Sequence, residues 1–187
     1  EQIPGEVYRP GDRIKTVILE VKNTSKGASI LLSRSHPNLV KRLFELEVPE
    51  IHDGIIEIYS IAREAGSRTK IAVFSHDPNV EPIGSCVGNK GIRVKNIIDE
   101  INQEKIDIIV YEKDPEKFIA NSLGPAKIIK VRANEKEKTA VAVVPDNQLS
   151  LAIGKEGQNV RLAAKLTGWK IDIISESQES EQTGEEV

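Results

Sequence analysis

Two parts of this chain repeat each other, and the repeat constrains the fold more than any other feature of the sequence. The segment KIDII at 105–109 recurs at 170–174, which is an offset of 65 in the numbering. A G-x-x-G motif at 88–91 recurs at 154–157, which is an offset of 66. Because the two features stand in the same order in both copies, we expect two small domains of the same fold in tandem.

The stretch before each G-x-x-G motif also repeats, here at an offset of 70 in the numbering. The drift of the offset from 70 to 66 places a loop that is four residues longer in copy one, around 77–82. The positions aligned in this stretch are Ile58, Ile61, Thr69, Ile71 and Val73 in copy one and Ile128, Val131, Thr139, Val141 and Val143 in copy two.

Periodicity and turn residues predict the elements of copy one. Pro37 favours a helix start, and Val94, Ile97, Ile98 and Ile101 lie on one face of a helix that follows the glycine motif. The predicted elements are a helix at 38–46, strands at 56–64 and 69–75, a short helical turn at 83–87, the helix after the motif, and a strand at 106–111.

Copy two has the same order of elements. Asp114 and Pro115 favour a helix start, Gly168 favours a helix end, and Trp169 is expected to pack at the start of the last strand. Each unit is therefore an α+β sandwich with helices on one face of its sheet. The predicted elements are a helix from 115 to about 122, strands at 127–133 and 139–144, a short helix through 153, a helix at 158–166 and a strand at 170–174.

Residues 1–35 belong to neither copy. They predict a strand at 13–22 and a second strand at 28–33, joined by a polar turn. Two strands cannot bury a stable core alone. We therefore expect this segment to be the end of a β-barrel whose other strands lie upstream in a longer protein.

The charge of the chain is unevenly distributed. The formal net charge is −3, but five glutamates lie in the tail at 176–187, and without them it is +2. A segment rich in Ser, Gln and Glu buries little apolar surface, so we expect 176–187 to be an acidic disordered tail. Any site for a polyanion must depend on the local placement of basic residues and not on bulk charge.

Composition argues against several classes of protein. No apolar run approaches the ~20 residues that span a bilayer, so we expect no membrane association. The single cysteine, Cys86, allows no internal disulfide, suits a reducing cytoplasm and is expected to pack as a small apolar residue. The three histidines are dispersed and no Ser-His-Asp order is present. We therefore expect no metal, no cofactor and no catalytic site.

The two G-x-x-G motifs carry the predicted chemistry. At a helix start, glycines let a ligand approach bare backbone, and the free N–H groups of the helix favour negative charge there. Two such motifs predict two sites for the backbone of single-stranded RNA, with unstacked bases on a nearby apolar strip and strand edge. Lys90 and Lys155 add positive charge, whereas Glu156 is expected to weaken the second site.

The residues around both motifs resemble a known family. The segments GSCVGNKGIR at 84–93 and IGKEGQNVRLA at 153–163 are similar to the first and second type II KH domains of the NusA family of bacterial transcription termination and antitermination factors. The stretch LLSRS at 31–35 resembles the end of that family's S1 domain, an OB-fold barrel. The resemblance implies a partial S1 segment at 1–35, a first KH domain at 36–112, a second KH domain at 113–175 and the tail at 176–187.

The resemblance also implies a function. The family binds nascent RNA and RNA polymerase and acts with other antitermination factors. We therefore expect a monomeric, cytoplasmic, non-enzymatic RNA-binding region, with polymerase bound mainly by an N-terminal domain outside this chain. The expected RNA-contacting residues are Gly88, Asn89, Lys90 and Gly91 in loop one, Gly154, Lys155, Glu156 and Gly157 in loop two, and the flanking Ser85, Arg93, Lys95, Gln158, Asn159 and Arg161.

Two other functions remain open on the residues alone. The units also suit an RNA-binding accessory region of a ribonuclease or exosome-like complex, although phosphorolytic ribonucleases place one KH domain before S1. They also suit a protein-interaction module. Only Glu112 and Lys113 separate the last strand of copy one from the helix start of copy two, which favours a rigid pair of domains.

Overall fold

Three β-sheets follow one another along the chain in the computed structural model, which describes residues 1–184. A two-stranded antiparallel sheet comes first, and two three-stranded sheets follow it. The strands are β1 (Val17–Thr24), β2 (Gly27–Ser33), β3 (Ile56–Glu64), β4 (Arg68–Ser75), β5 (Lys105–Val110), β6 (Lys130–Asn134), β7 (Thr139–Val144) and β8 (Lys170–Ser175). The helices are α1 (Pro37–Glu47), α2 (Pro49–His52), α3 (Pro82–Val87), α4 (Ile92–Glu100), α5 (Pro115–Ser122), α6 (Leu149–Ile153), α7 (Gln158–Thr167) and α8 (Glu176–Gly184).

Both three-stranded sheets have the same mixed topology. The middle strand pairs antiparallel with the strand before it and parallel with the last strand. A parallel pair needs a long crossover, and the segment of short helix, G-x-x-G loop and long helix supplies it in both copies. The predicted α+β class is confirmed. We call the unit built on β3–β5 the first domain and the unit built on β6–β8 the second domain.

The core of the first domain lies between its sheet and the helices α1 and α4. Leu39, Leu43 and Phe44 form the apolar face of α1 and pack against Ile71 of the central strand and Ile97 of α4. All five side chains are at most 3% exposed. Removing this much apolar surface from water is the main force that holds the helices on the sheet.

The core of the second domain is built from smaller side chains. Ala140 and Ala142 of β7 face Ala163 of α7, and the large indole of Trp169 fills the space beside them. Trp169 is buried at the start of β8, as the sequence predicts. Its indole ring also lies 4.6 Å below the ammonium group of Lys138.

The central strand repeats at an offset of 71 in the numbering, so the alignment made from the sequence is wrong by one position. Arg68 pairs with Lys105 in the first sheet, whereas Thr139 pairs with Lys170 in the second. The hairpin turn before β7 is one residue longer than the turn before β4, and a slip of one residue moves every side chain to the opposite face. The loop in copy one is accordingly five residues longer, not four. The buried positions Thr69, Ile71 and Val73 of β4 are equivalent to the buried positions Ala140, Ala142 and Val144 of β7.

The N-terminal segment docks on the first domain through a buried arginine. The Arg34 guanidinium donates to both carboxylate oxygens of Glu6, at 2.7 and 2.8 Å, and to the carbonyl oxygens of Lys15 and Glu100. The hydrogen bond from Arg34 holds the pKa of Glu6 below its usual range. Ile3 completes the contact, because its side chain is buried in the core of the first domain.

The β1–β2 hairpin begins four residues later than the strand predicted at 13–22, and its second strand matches the one predicted at 28–33 within one residue. Several of its apolar side chains face solvent: Ile18, Val21, Ile30, Leu31 and Leu32.

A second buried ion pair lies where the first domain meets this segment. The side chains of Arg63 and Glu104 are both fully buried, with Nε to Oε1 at 2.9 Å. Arg63 also donates to the carbonyl oxygens of Arg34 and His36, and Glu104 accepts from the Gly66 N–H. Every charge in the pair therefore has several partners, as burial of charged groups requires.

The C-terminal segment is helical over Glu176–Gly184, so the disorder predicted from residue 176 is not what the structure shows. The Ser177 N–H donates to Asp146 at the start of α8. Glu179 forms ion pairs with Lys130 and Arg132 of β6, each at 2.8 Å. These partners belong to the second domain, and composition alone does not reveal them. The last three residues of the predicted tail lie outside the described residues.

The short helix α2 is an element that periodicity does not predict, because four residues are fewer than the period test needs. Pro49 starts it, and the buried Ile51 attaches it to the first core. Within residues 1–184, no helix has the length and apolar character needed to cross a membrane.

Candidate nucleic-acid interface

The two G-x-x-G loops have the same backbone conformation. Each follows a short helix and leads into a long one, α4 or α7. In both loops the first, third and fourth residues have positive φ, a region that L side chains rarely adopt. The φ/ψ values are 76/173, 52/26 and 75/13 for Gly88, Lys90 and Gly91, and 78/168, 54/26 and 72/15 for Gly154, Glu156 and Gly157.

The two glycines of each loop have different physical roles. A Cβ at Gly88 would come within 2.6 Å of the Arg93 side chain. The first glycine is therefore required for packing of the loop against its own helix. At Gly91 and Gly157 a Cβ would meet nothing within 4 Å, so these second glycines leave bare backbone open to solvent. Sequence reasoning gave all four glycines the same role.

The charged side chains of the loops are accessible. Asn89 and Lys90 are exposed in loop one, and Lys155 and Glu156 are exposed in loop two. Lys95, one turn into α4, is also exposed. Loop one thus presents positive charge without an acidic neighbour in the motif, whereas loop two presents one charge of each sign.

Arg93 and Asn159, at matching positions of the repeat, hold the loops in place. Arg93 Nη1 donates to the Ser85 carbonyl at 2.7 Å and to Glu50 at 2.9 Å. Asn159 is 2% exposed, and its Nδ2 donates to the Leu123 and Ala152 carbonyls, both at 2.9 Å. The Nδ2 group of Asn159 is therefore bound inside the second domain, whereas its buried Oδ1 accepts no hydrogen bond from the residues that the structure describes.

Gln158 and Arg161 connect the two domains. Gln158 Nε2 donates to Glu64 at 2.9 Å and to the Ser67 hydroxyl at 2.7 Å. Arg161 Nε donates to the same Glu64 carboxylate at 2.6 Å and Nη2 at 3.2 Å. The hydrogen bond from Arg161 lowers the pKa of Glu64. Two residues predicted to contact RNA therefore use their side chains at the domain interface.

The domain interface is also apolar and extensive. Helix α7 lies against β3 and β4, where Leu162 and Leu166 pack on Ala62 and Ala72. The Ser60 hydroxyl donates to the Leu166 carbonyl at 2.9 Å. A buried apolar contact with matched hydrogen bonds resists hinge motion between domains. The first domain thus buries the second face of its sheet under the second domain.

Polar and aromatic contacts extend this interface. The buried ammonium of Lys70 donates to Asp107 at 3.0 Å and to the Gly124 carbonyl of the second domain at 2.9 Å. The rings of Tyr59 and Tyr111 stack with centroids 3.8 Å apart, and Phe118 of α5 meets the Tyr111 ring edge to face. The two tyrosines therefore pack on each other at the sheet of the first domain.

A cavity of about 430 Å³ lies along the outer edge of β5. One side of β5 pairs with β4, and its other side forms the margin of the sheet, where backbone N–H and C=O groups face outward. Asn121 lines the cavity and donates from Nδ2 to the Val110 carbonyl at 3.2 Å. The lining residues are Ile83, Asp107, Ile108, Ile109, Val110, Asn121, Gly124 and Pro125.

The sequence predicted an apolar strip and a strand edge near the loops, but it did not identify any of these lining residues. The order of strands decides which edge is outermost, and no residue pattern reports that order. The cavity also takes Asn121, Gly124 and Pro125 from the second domain, so it forms only when the two domains are docked.

A second cavity, of about 390 Å³, lies between the first domain's hairpin turn and loop two. The first domain contributes Ser67, Arg68 and Lys105. The second domain contributes Ser150, Leu151, Gly154, Lys155, Gln158 and Asn159. Within the described residues, no group of His, Cys, Asp and Glu is arranged to hold a metal ion.

Comparison with family models matches both domains. Residues 34–111 match the NusA-like first KH domain, and residues 115–181 match the NusA-like second KH domain. The crystal structure of APE1850 resembles the chain with a TM-score of 0.52 at 22% sequence identity, covering 73% of this chain and 94% of that chain. At this identity the likeness shows the fold alone.

Several curated relatives share one description, transcription termination/antitermination protein NusA. The protein from Halalkalibacterium halodurans is 60% identical over 97% of this chain and 47% of its own length. The proteins from Bacillus subtilis and Thermus thermophilus are 60% and 52% identical, over 95% and 91% of this chain and 48% and 44% of their own lengths. The chain therefore spans about half the length of the curated relatives it matches. On its two tandem KH domains and these identities, the chain belongs to the NusA family.

Proposed function

We propose that this chain binds single-stranded RNA as the RNA-contacting region of a transcription termination/antitermination factor. The observation that carries the proposal is the pair of G-x-x-G loops, which share one strained conformation. Gly88 and Asn89 of loop one line a cavity of about 480 Å³, and Gly154 and Lys155 of loop two line the cavity of about 390 Å³. Positive φ at a non-glycine residue costs free energy, and its presence at the same place in both loops points to a functional demand on the loop shape.

The geometry suggests a different role in RNA binding for each group of residues. The bare backbone at Gly91 and Gly157, with Lys90, Lys95 and Lys155 nearby, binds the phosphates. The cavity along β5 accepts a base, whose edge hydrogen-bonds the outward-facing backbone while its ring contacts apolar side chains. Ser85, Arg93 and Asn159 keep loops and flanking helices in position, and Gln158 and Arg161 keep the domains in register.

The proposed activity is binding and not catalysis. RNA polymerase and other antitermination factors are the proposed partners of the whole protein, since the relatives are described by termination and antitermination. We further propose a cytoplasmic monomer with a partial S1 segment at 1–35 and KH domains at 36–112 and 113–175.

Aspartate substitutions in the loops test the proposal. Asn89→Asp with Lys90→Asp removes positive charge from loop one, and Lys155→Asp with Glu156→Asp does so in loop two. Aspartate tolerates the positive φ of the third position, so the loops keep their shape. We expect each double variant to bind labelled single-stranded RNA at least ~10-fold more weakly, a loss of about 1.4 kcal/mol.

The controls separate the three candidate functions. Unchanged RNA affinity in a variant carrying all four substitutions refutes the proposal. Shortening of labelled RNA in the presence of phosphate supports the ribonuclease-accessory alternative. A flat dependence of RNA affinity on salt supports a protein-interaction module, since phosphate contacts release counterions and give a negative slope.

A further inference from the structure

The cavity between the domains collects basic side chains from both of them. Arg68 and Lys105 are cross-strand neighbours at one end of the first sheet. Lys155, from loop two of the second domain, lines the same cavity. The first domain therefore adds two positive charges to a loop that, by its own sequence, carries Lys155 next to the acidic Glu156.

The acidic neighbours of the cavity neutralise its positive charges only in part, because other cations share them. Asp107 lies 3.7 Å from Arg68 Nε, but the same carboxylate oxygen is bound more closely by the buried Lys70, at 3.0 Å. Glu64 is paired with Arg161. Within the part of the chain that the structure describes, Arg68 Nε makes no hydrogen bond although it is buried. The guanidinium of Arg68 is thus only loosely paired.

The cavity also lies beside β5, the strand whose later residues line the 430 Å³ cavity. Lys105 is the first residue of β5, and Asp107 to Val110, further along the same strand, line the 430 Å³ cavity. An extended strand that follows the edge of β5 therefore leaves the apolar cavity and reaches the basic one. In extended single-stranded RNA, a phosphate follows every base.

We propose that this cavity binds one RNA phosphate jointly, with Arg68 and Lys105 of the first domain and Lys155 of the second domain as its cationic ligands. The inference rests on the proposed function, and it assigns RNA contacts to the hairpin end of the first sheet, outside the loops. It also explains how loop two binds RNA in spite of Glu156. The phosphate then bridges the two domains, and the rigid interface presets the distance between the cations.

The test removes the two first-domain charges and compares the result with a matched pair in the second domain. Arg68→Gln with Lys105→Gln alters the cavity. Lys138→Gln with Lys170→Gln removes two charges from the corresponding end of the second sheet, which lines neither cavity. The affinity for a labelled single-stranded RNA that reaches both loops is measured over a salt series.

We expect the first pair to weaken binding by ~10-fold or more and to reduce the log–log salt slope by about 0.7, the value for one phosphate contact on single-stranded RNA. The second pair keeps the wild-type slope. Restoring charge with Arg68→Lys and Lys105→Arg recovers the slope, which a purely structural role would not produce. Thermal unfolding shows whether each variant is folded.

Lys155→Gln completes a double-mutant cycle with the Arg68 and Lys105 pair. Because the three cations share one phosphate, the combined loss is smaller than the sum of the separate losses. Two results would overturn the shared site: equal salt slopes for the two charge-removal pairs, or additive losses of RNA affinity in the double-mutant cycle. In either case the loop substitutions can still weaken RNA binding, so the proposed function would stand. Absence of RNA binding by the wild type refutes the proposed function itself.

Discussion

The backbone nitrogen of Asn159 lies so close to Gly154 that a Cβ on the glycine would come within 2.7 Å of it. The contact joins the first glycine of loop two to the helix that follows the loop. Asn159 is in turn anchored by its two hydrogen bonds to backbone carbonyls. The shape of the loop is therefore determined by the packing of α7 and is preset before any ligand binds.

Gly154→Ala should be clearly more destabilising than Gly157→Ala. Both glycines have positive φ, but Gly157 lies in the left-handed region, which costs alanine about 1–2 kcal/mol. Gly154, with ψ 168, lies in a region that is essentially restricted to glycine. Only Gly154 adds a clash with backbone, which cannot rotate away as a side chain can. Chemical denaturation of both variants measures the difference, and equal losses in the free energy of unfolding would show that the close contact relaxes at little cost.

Glu104→Gln should destabilise the first domain by about 3–5 kcal/mol, because it leaves the charge of Arg63 buried without its counterion. The double variant Arg63→Met with Glu104→Leu removes both charges and should recover a large part of that loss. Urea unfolding of the wild type and both variants tests the pair. A loss below about 1 kcal/mol for Glu104→Gln, the range of exposed pairs, would contradict the prediction.

The domain interface should weaken in acid through Glu64. Arg161 lowers the pKa of this carboxylate in the folded state. A lowered folded pKa means that the stabilisation is complete above the unfolded pKa of about 4.3 and is lost as pH falls through the folded pKa. Glu64→Gln should therefore flatten the acid limb of the curve of unfolding midpoint against pH. An acid limb as steep as that of the wild type would assign the acid sensitivity to other carboxylates.

Prediction from residues succeeded where the physical signal is local. The strands at 56–64 and 139–144 match β3 and β7 residue for residue, because alternating branched residues bounded by turns are specific to strands. Gly168 ends α7 in the left-handed conformation, as expected of a glycine at a helix end. The one-residue error in the alignment of β4 with β7 arose because turn length is set by sheet register.

The candidate site shows a similar division. The G-x-x-G motifs are readable in the sequence, but the roles of the residues beside them are not. Asn159 and Arg161 are both polar residues that follow loop two, yet one is buried under the loop and the other is bound to Glu64 of the first domain. A polar side chain near a motif does not reveal whether it points to a ligand, to its own core or to a neighbouring domain.

Residue pattern alone was sufficient to establish two copies of an α+β unit, each with a glycine loop at a helix start. It was sufficient because backbone preference and side-chain period act over a few neighbouring residues. The docking of α7 on the first sheet, the outer position of β5 and the meeting of Arg68, Lys105 and Lys155 in one cavity required the folded chain. These features join residues that are far apart in the sequence, and only the packing of whole elements, driven by burial of their apolar faces, brings such residues together.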